Sequence, residues 1–488
     1  MEQPEPREID FAARAEELRQ TGVKRVRVNY CDMHGTARGK DVPLDVFEQI
    51  AHDGLSFCIA NLTDGLASNP TYAPGLAPDR GFPDMSVKPV LSTLVQIPWE
   101  PETAWCIGNV EDVAGGSSLA SRSLLARALE LYRALELTPV IGPELEFFLL
   151  RQDENGRLTR YLDPHSMVYT TGQRSDPEGV VRHILQAAHE MGLQATSAFH
   201  ETSRSQYEIN LLHGEALPTA DRTFLFKALV KEVAAKHGLL ATFMGKPLND
   251  DAGSGFHLHV SLFDHKGNNA FAAPKSEGRL SELARHFLAG VLEHAPSLMA
   301  FFAPTINSYK RLAPNSLVPT AVNWAYNNRT VFVRVPADGD KATRLELRAA
   351  DGAANPYLVT AVSLLAGLDG IRRKLEPSEP VSGDASTGSK ALSGVVLGPR
   401  LPLTLVESLS ALQAEQFYGY NFFANLSARA HPALESDGRR GRGSHRGWYH
   451  IVRASCAEHQ PSRNRFWRQR RRGRHSIGVD PALSPARK

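Results

Sequence analysis

From residue 140 to 150 the chain reads V-I-G-P-E-L-E-F-F-L-L, with Glu144 and Glu146 two places apart and Leu145, Phe147 and Leu149 in the alternate places. Side chains two apart on a strand share a face, so this segment predicts a strand with acids on one side and apolar groups on the other. The pattern recurs three times. At 206–211, Gln206, Glu208 and Asn210 oppose Tyr207, Ile209 and Leu211. At 256–262, His257 and His259 oppose Phe256, Leu258 and Val260, and at 343–348, Arg344, Glu346 and Arg348 oppose Leu345 and Leu347. One such segment alone is ordinarily a half-solvated strand. A set built almost wholly of Glu, His and Arg is different, because Thr, Lys, Ser and Gln dominate ordinary exposed faces and Glu disfavours strands. Carboxylates on neighbouring strands would repel unless cations lay between them.

Elsewhere the spacing predicts a short amphipathic helix over 7–20, a strand over 24–30, a polar turn with basic residues up to Lys40, and strands near 87–97 and 104–110. Gly115, Gly116, Ser117 and Ser118 mark a boundary. Helices are then predicted over 119–135, 178–191, 220–237, 279–294 and 356–372, alternating with strands, and 376–388 reads as an exposed loop. The architecture that fits is α+β: a small, mostly β domain over 20–112, a large α/β domain over 113–437, and a distinct tail over 438–488.

Composition narrows the class. The 488 residues, 42% hydrophobic and 22% charged, are those of an ordinary globular protein. No apolar run approaches about 18 residues, so no membrane span is expected. The longest, at 357–368, suits a buried helix. The N-terminus is acidic and lacks the apolar stretch of a signal peptide. Cys31, Cys58, Cys106 and Cys456 are scattered, which predicts neither a disulfide framework nor a zinc site and makes a reducing cytoplasm the expected location. The net charge of +2 hides a split: 13 Arg and one Lys against Glu458 and Asp480 give residues 438–488 a charge of +12, leaving −10 on the rest.

Glutamates with a single histidine suit hard divalent cations, Mg²⁺ or Mn²⁺, better than zinc. Arginines on the same surface suit phosphate. Together they point to phosphoryl transfer. The usual nucleotide signatures are absent: Gly35 to Lys40 (GTARGK) is one residue short of a P-loop, and Gly253-Ser254-Gly255 opens no dinucleotide fingerprint.

The order and spacing of several segments resemble the glutamine synthetase family, of the bacterial class I type. They include G-P-E-L-E-F from Gly142, Q-Y-E-I-N from Gln206, G-S-G-F-H-L-H from Gly253, N-S-Y-K-R from Asn307, Asn328-Arg329, and R-L-E-L-R from Arg344 with Asn355-Pro356-Tyr357. The resemblance spans about 23–402. It implies a β-grasp N-terminal domain, a catalytic sheet curved into a funnel open at both ends, ATP entering one end and glutamate the other, and two stacked hexameric rings with active sites between subunits. By resemblance, Glu146, Glu201 and Glu208 hold one metal, and Glu144, His257 and Glu346 the second. Arg311 and the backbone of Gly253 hold glutamate. Arg329, Arg334 and Arg344 bind phosphate, His259 and Ser261 contact the nucleotide, and Arg348 steadies the reacting acyl group. The implied reaction makes γ-glutamyl phosphate, which an amine then attacks.

The departures gather at the amine end. The family's P-G-Y-E-A-P flap reads P-N-S-L-V-P here, with Leu317 in the Glu position. Cys58 aligns with a second acid of the ammonium site, while Tyr169 is retained. Leu cannot bind or deprotonate a small hydrated cation, so the expected acceptor is an organic amine (a polyamine, an ethanolamine-like amine, or an alkyl or aryl amine), with ammonia as the alternative. Ala252 stands where the family has Asn beside glutamate, Ser205 replaces a Gly, and no N-L-Y-D-L-P adenylylation loop is found. Two readings from other classes are a catalytically silent homologue serving assembly and a nucleic-acid-binding protein. The second rests only on the basic tail, whose composition a shifted reading frame near Asp437 would equally produce.

Overall fold

The first sheet is built from short strands: β1 (Arg25–Cys31), β2 (Ala37–Pro43), β3 (Leu55–Cys58), β4 (Asp84–Pro89), β5 (Val95–Gln96) and β6 (Thr103–Val110). Its order is β2-β1-β6-β4-β3, with β5 pairing β6. β1 and β6 run parallel and β1 and β2 antiparallel. Helices α1 (Phe11–Gln20) and α2 (Leu44–Asp53) accompany it. This computed structural model describes residues 11–65, 81–111, 119–162, 167–273, 280–313, 317–386 and 398–415. The start of the helix expected over 7–20, the Gly-Gly-Ser-Ser boundary, the end of the loop expected over 376–388 and the basic tail lie outside the described residues.

Two expectations need correction. The polar turn expected over Asp32–Gly35 is there, but the basic stretch after it, expected to follow without an element of its own, is strand β2, antiparallel to β1 in unbroken register from Arg25↔Pro43 to Cys31↔Ala37. Its Arg38 reaches back to Asp32, Nε to Oδ2 at 2.7 Å, while Asp32 Oδ1 accepts from the backbone of His34 and Thr36. GTARGK is therefore a hairpin closed by an aspartate turn. The strand expected over 87–97 is interrupted: β4 ends at Pro89, and a short 3₁₀ turn at Leu91–Thr93 precedes β5.

The second sheet has ten strands, ordered β14-β15-β16-β13-β7-β10-β9 along its main path. They are β7 (Leu137–Gln152), β8 (Leu158–Arg160), β9 (Ala195–His200), β10 (Gln206–Leu211), β11 (Gly214–Glu215), β12 (Leu240–Thr242), β13 (Phe256–Asp264), β14 (Trp324–Tyr326), β15 (Val333–Val335) and β16 (Leu345–Leu347). The 16-residue β7 is the spine, pairing with β13, β10, β8, β11 and β12. Among the described residues seven further helices follow: α3 (Ser121–Arg133), α4 (Val180–Glu190), α5 (Ala216–Lys236), α6 (Glu282–Glu293), α7 (Ala295–Phe302), α8 (Pro356–Arg373) and α9 (Leu405–Ala414). Mixed helix and strand with a predominantly antiparallel second sheet is the α+β class read from the pattern.

Local chemistry sets the helix ends. Asn355 begins α8: its Oδ1 accepts from the backbone of Tyr357 (3.0 Å) and Leu358 (3.3 Å), and Pro356 occupies the first turn, where no N–H is needed. Arg372 and Arg373 lie in the last turn, favourable to the helix dipole. The helix is buried from Pro356 to Gly370, as its apolar run predicts. Leu145, Phe147 and Leu149 of β7, Leu258 and Val260 of β13 and much of α5 and α8 share one core, and Cys31, Trp105 and Ile107 of the first sheet join it. The other face of the first sheet, with Val26, Val28 and Val87, closes over Phe47 and Leu44 in a core of its own. No helix among the described residues is long and apolar enough to cross a membrane.

Candidate functional site

The register of the second sheet brings the predicted acids together. Glu146 of β7 stands opposite Glu208 of β10, and Glu144 opposite His257 of β13. His259 stands opposite Glu346 of β16, and Arg334 of β15 pairs with the same Glu346. Directly opposed residues point to one side of a sheet, so these strands deliver their ionisable groups to one face. Two sets result. Glu144, His257 and Glu346 each offer an atom within 4.8 Å of the others, as do Glu146, Glu208 and His257. Glu201, just past β9, lies outside both sets, its carboxylate accepting from the backbone N–H and hydroxyl of Thr202.

Glu146, Glu208, His257 and Glu346 are buried, Glu346 at 1% and Glu208 at 5% exposure, and only Glu144 is partly exposed, so the half-solvated reading of the alternation fails. Burial, and then the charges of Glu144, Glu146 and Glu201, push the Glu208 carboxyl up to about 10. Burial and the charge of Glu146 raise Glu201 to about 6. Neighbouring cations act the other way. Burial opposes the ionisation of Glu346, but Arg348, His257 and His259 outweigh it and hold that carboxyl below its ordinary range. Arg334 Nη1 donates to Glu346 Oε2 at 2.7 Å, and Arg348 Nη1 donates to Oε1. Glu144 is likewise held low against its burial by His257 and His259.

Glycine is required beside this cluster. A Cβ on Gly255 would lie 2.9 Å from Arg311 Nη2 and His257 Nε2 and 3.0 Å from Glu146 Oε1; one on Gly253 would lie 2.5 Å from the carbonyl of Gly245. Arg311 is buried, donating to the carbonyl of Ala349 at 3.1 Å, and its Nε has no partner among the described residues. Sequence reasoning gave Gln206 no role, yet its Nε2 bridges Glu146 Oε2 (2.9 Å) and the carbonyl of Gly253 (3.1 Å). Its place on the face of Glu208 was the available signal. Asp351, buried with Oδ2 unpartnered among the described residues, was also missed; no strand alternation flags it.

Next to the cluster, a cavity of about 350 Å³ is lined by Glu144, His259, Ser261, Asn269, Lys341 and Arg344, among others. Arg344 Nε lies 3.1 Å from His259 Nδ1, and His259 Nε2 lies 3.0 Å from Glu144 Oε1. His259 and Ser261, the expected nucleotide contacts, both line this cavity, which is of the size that takes small ligands. If the nucleotide that the resemblance implies binds here, Arg344→Ala is expected to raise KM for ATP about 10-fold, through lost charge and a released His259, in steady-state assays; an unchanged KM would separate this cavity from the nucleotide.

Other predicted residues lie apart. The Arg329 side chain is exposed, only its carbonyl joining the site by accepting from Arg348 Nε at 3.0 Å. Tyr169 (66% exposed) and Leu317 (57%) are at the surface, both with left-handed backbone, and Tyr169 rests on Phe199. Cys58 ends β3. Ser205, which replaces a glycine, keeps a glycine's conformation at φ 66°, its hydroxyl accepting from the backbone of Leu162 at 2.8 Å.

Comparison with known proteins agrees with this geometry. The family model described as "Glutamine synthetase, catalytic domain" matches residues 118–427. Glutamine synthetase of Rhizobium meliloti is 36% identical over 403 residues, 80% of this chain and 87% of that one. That of Halobacterium salinarum is 32% identical over 409 residues, 82% and 87% of the two chains. A solved structure of a GmaS/ADP complex superposes with a TM-score of 0.76 at 29% identity, covering 93% of this chain and 98% of that one. The fold and the matches define an enzyme that is a ligase. The chain belongs to the glutamine synthetase family, whose members use glutamate, ATP, an amine and divalent cations.

Proposed function

We propose that this ligase phosphorylates the side-chain carboxylate of glutamate with ATP and passes the glutamyl group to an organic amine. The observation that carries the chemistry is the convergence of Glu144, Glu146, Glu208, His257 and Glu346 on one largely buried face beside the His259–Arg344 cavity. The donor set, carboxylate oxygens with one imidazole, fits Mg²⁺ or Mn²⁺. Glu144, His257 and Glu346 would hold one ion; Glu146 and Glu208, with Glu201 beside them, would hold the other. Such ions neutralise phosphate charge and polarise phosphoryl oxygens.

The protein's own groups do the rest. Arg311 receives the α-carboxylate of glutamate and the backbone of Gly253 positions it. Arg334 and Arg344 take the phosphates, and Arg329, whose side chain is exposed in this structure, turns inward to join them when the nucleotide binds. A carboxylate oxygen of glutamate attacks the γ-phosphorus and ADP leaves. Arg348 steadies the resulting acyl phosphate. The neutral amine then attacks the acyl carbon, phosphate departs and the nitrogen loses a proton; exclusion of water protects the intermediate. In this reading residues 20–112 and 113–437 are the N-terminal and catalytic domains of a double hexameric ring, acting in the cytoplasm.

Leu317 and the GmaS neighbours support an organic acceptor; the relatives named glutamine synthetase favour ammonia. Steady-state assays against ammonium, methylamine, ethanolamine, putrescine and aniline decide between them. An organic amine is expected to give the highest kcat/KM, and Leu317→Glu to raise kcat/KM for ammonium about 10-fold. Ammonium as the best wild-type substrate would refute the acceptor while leaving the ligase intact; no phosphate release with any amine would refute both.

A further inference from the structure

A second cavity, of about 330 Å³, lies where the turn between β1 and β2 meets α5 and β12. Its walls include His34, Lys227, Lys231, Phe243, Met244 and Ile306, none of them part of the site above. Two lysines line it, and no described aspartate or glutamate does. Lys227 is buried; its Nζ donates to the carbonyl of Ala354 at 2.9 Å and lies 5.7 Å from the centre of the Phe243 ring. One carbonyl uses one of an ammonium's three donors. Burial, and then the positive charge of Lys231, lower Lys227 to about 7. Lys231 is solvent-accessible and forms no ion pair among the described residues. His34 Nε2 is buried there without a partner among the described residues. The nearby acid Asp32 is already engaged by Arg38, and burial raises the Asp351 carboxyl to about 6.

Burial and mutual repulsion work against two ammonium groups at one cavity, so Lys227 holds its proton poorly unless a counter-charge joins the pair. An anion relieves both. Half-exposed Met244 and Ile306 give the cavity an apolar wall as well. We propose that this cavity binds a small amphiphilic anion, its carboxylate or phosphate set between Lys227 and Lys231 and its apolar body against Phe243, Met244 and Ile306. The cavity reaches the catalytic residues through its walls. Asn307 holds Lys246 from both sides, accepting from its N–H (2.8 Å) and donating to its carbonyl (2.9 Å), and stands four residues before Arg311. A ligand here is placed to act as an effector, whatever amine the active site accepts.

The test is lysine footprinting of the full-length protein. Acetylation of each lysine is quantified by mass spectrometry in about 10 mM inorganic phosphate, in about 10 mM hexanoate, and in sodium chloride of equal ionic strength, a range suited to a Kd near ~1 mM. Labelling of Lys231 is expected to fall about fivefold in at least one anion arm, with exposed Lys236 on the same helix unchanged; the arm that protects identifies phosphate or carboxylate. Lys231→Gln should remove the rise in Tm that the protecting anion gives wild type. Equal labelling of Lys231 in all three arms, or an anion-induced Tm rise that persists in Lys231→Gln, overturns the proposal.

Discussion

Glu208→Gln is expected to make the metal-free protein more stable and the enzyme inactive. In the absence of cations Glu208 is a buried carboxyl facing Glu146 across the β7–β10 pair, with its proton affinity raised to about 10. The sign follows from proton counting. An unfolded glutamate titrates near 4.5 and the folded one near 10, so between these values the native state binds more protons. Stability of the EDTA-treated wild type therefore falls as pH rises from about 4.5 towards 10, and Glu201, raised to about 6, adds to the fall at the acidic end. The neutral amide removes the larger part. Thermal melts in EDTA from pH 6 to 9 should show the Glu208→Gln variant melting higher than wild type with a flatter pH profile. Added Mg²⁺ or Mn²⁺ should raise the wild-type Tm and barely move the variant, because only binding to the native state stabilises it. Turnover should fall by about 1,000-fold. A variant that melts below wild type in EDTA, or keeps its cation-induced Tm gain, would show that Glu208 is not one of a set of ion-compensated acids.

Gly255→Ala carries the second large effect. The new methyl group would sit 2.9 Å from Arg311 Nη2 and His257 Nε2 and 3.0 Å from Glu146 Oε1. These three buried groups must move apart by a few tenths of an ångström, and misplacement on that scale is costly where reactants are held in line. A loss of about 100-fold in kcat/KM is expected, shared between KM for glutamate and kcat. The bridge from Gly255 to Asp351 and the bond from Glu146 N to the Gly255 carbonyl use backbone atoms alone, so the fold should survive. Near-wild-type activity in a folded Gly255→Ala variant would mean that the space beside His257 is not used.

The strands of the site were legible because their chemistry and their period coincide. Alternation placed Glu144 with Glu146, Gln206 with Glu208, and His257 with His259, and the register then set them against one another. What alternation could not give was burial of both faces. Helices cover the apolar side, and the acids converge on the other instead of meeting water. Strand β2 was missed because A-R-G-K-D-V-P is charged and largely exposed, held by the hairpin turn and not by an apolar face. Helix α2 does carry a signal in the sequence: Leu44, Phe47 and Ile50 recur every three residues, and Leu44 and Phe47 are its buried positions. Helix α7 is largely apolar, so it offers no periodicity to read. Asp351 and Lys227 owe their roles to contacts between distant segments, which no local pattern encodes.

Asn355 ties the two ends of the chain's history together. Its side-chain amide starts α8 with one atom and, with the other, donates to the carbonyls of Asp32 (2.8 Å) and Met33 (3.3 Å) in the first hairpin. During synthesis the hairpin leaves the ribosome more than 300 residues before this asparagine exists. At about 5–20 residues per second, that is a delay of tens of seconds before the hairpin's two carbonyls can receive the amide that joins them to α8.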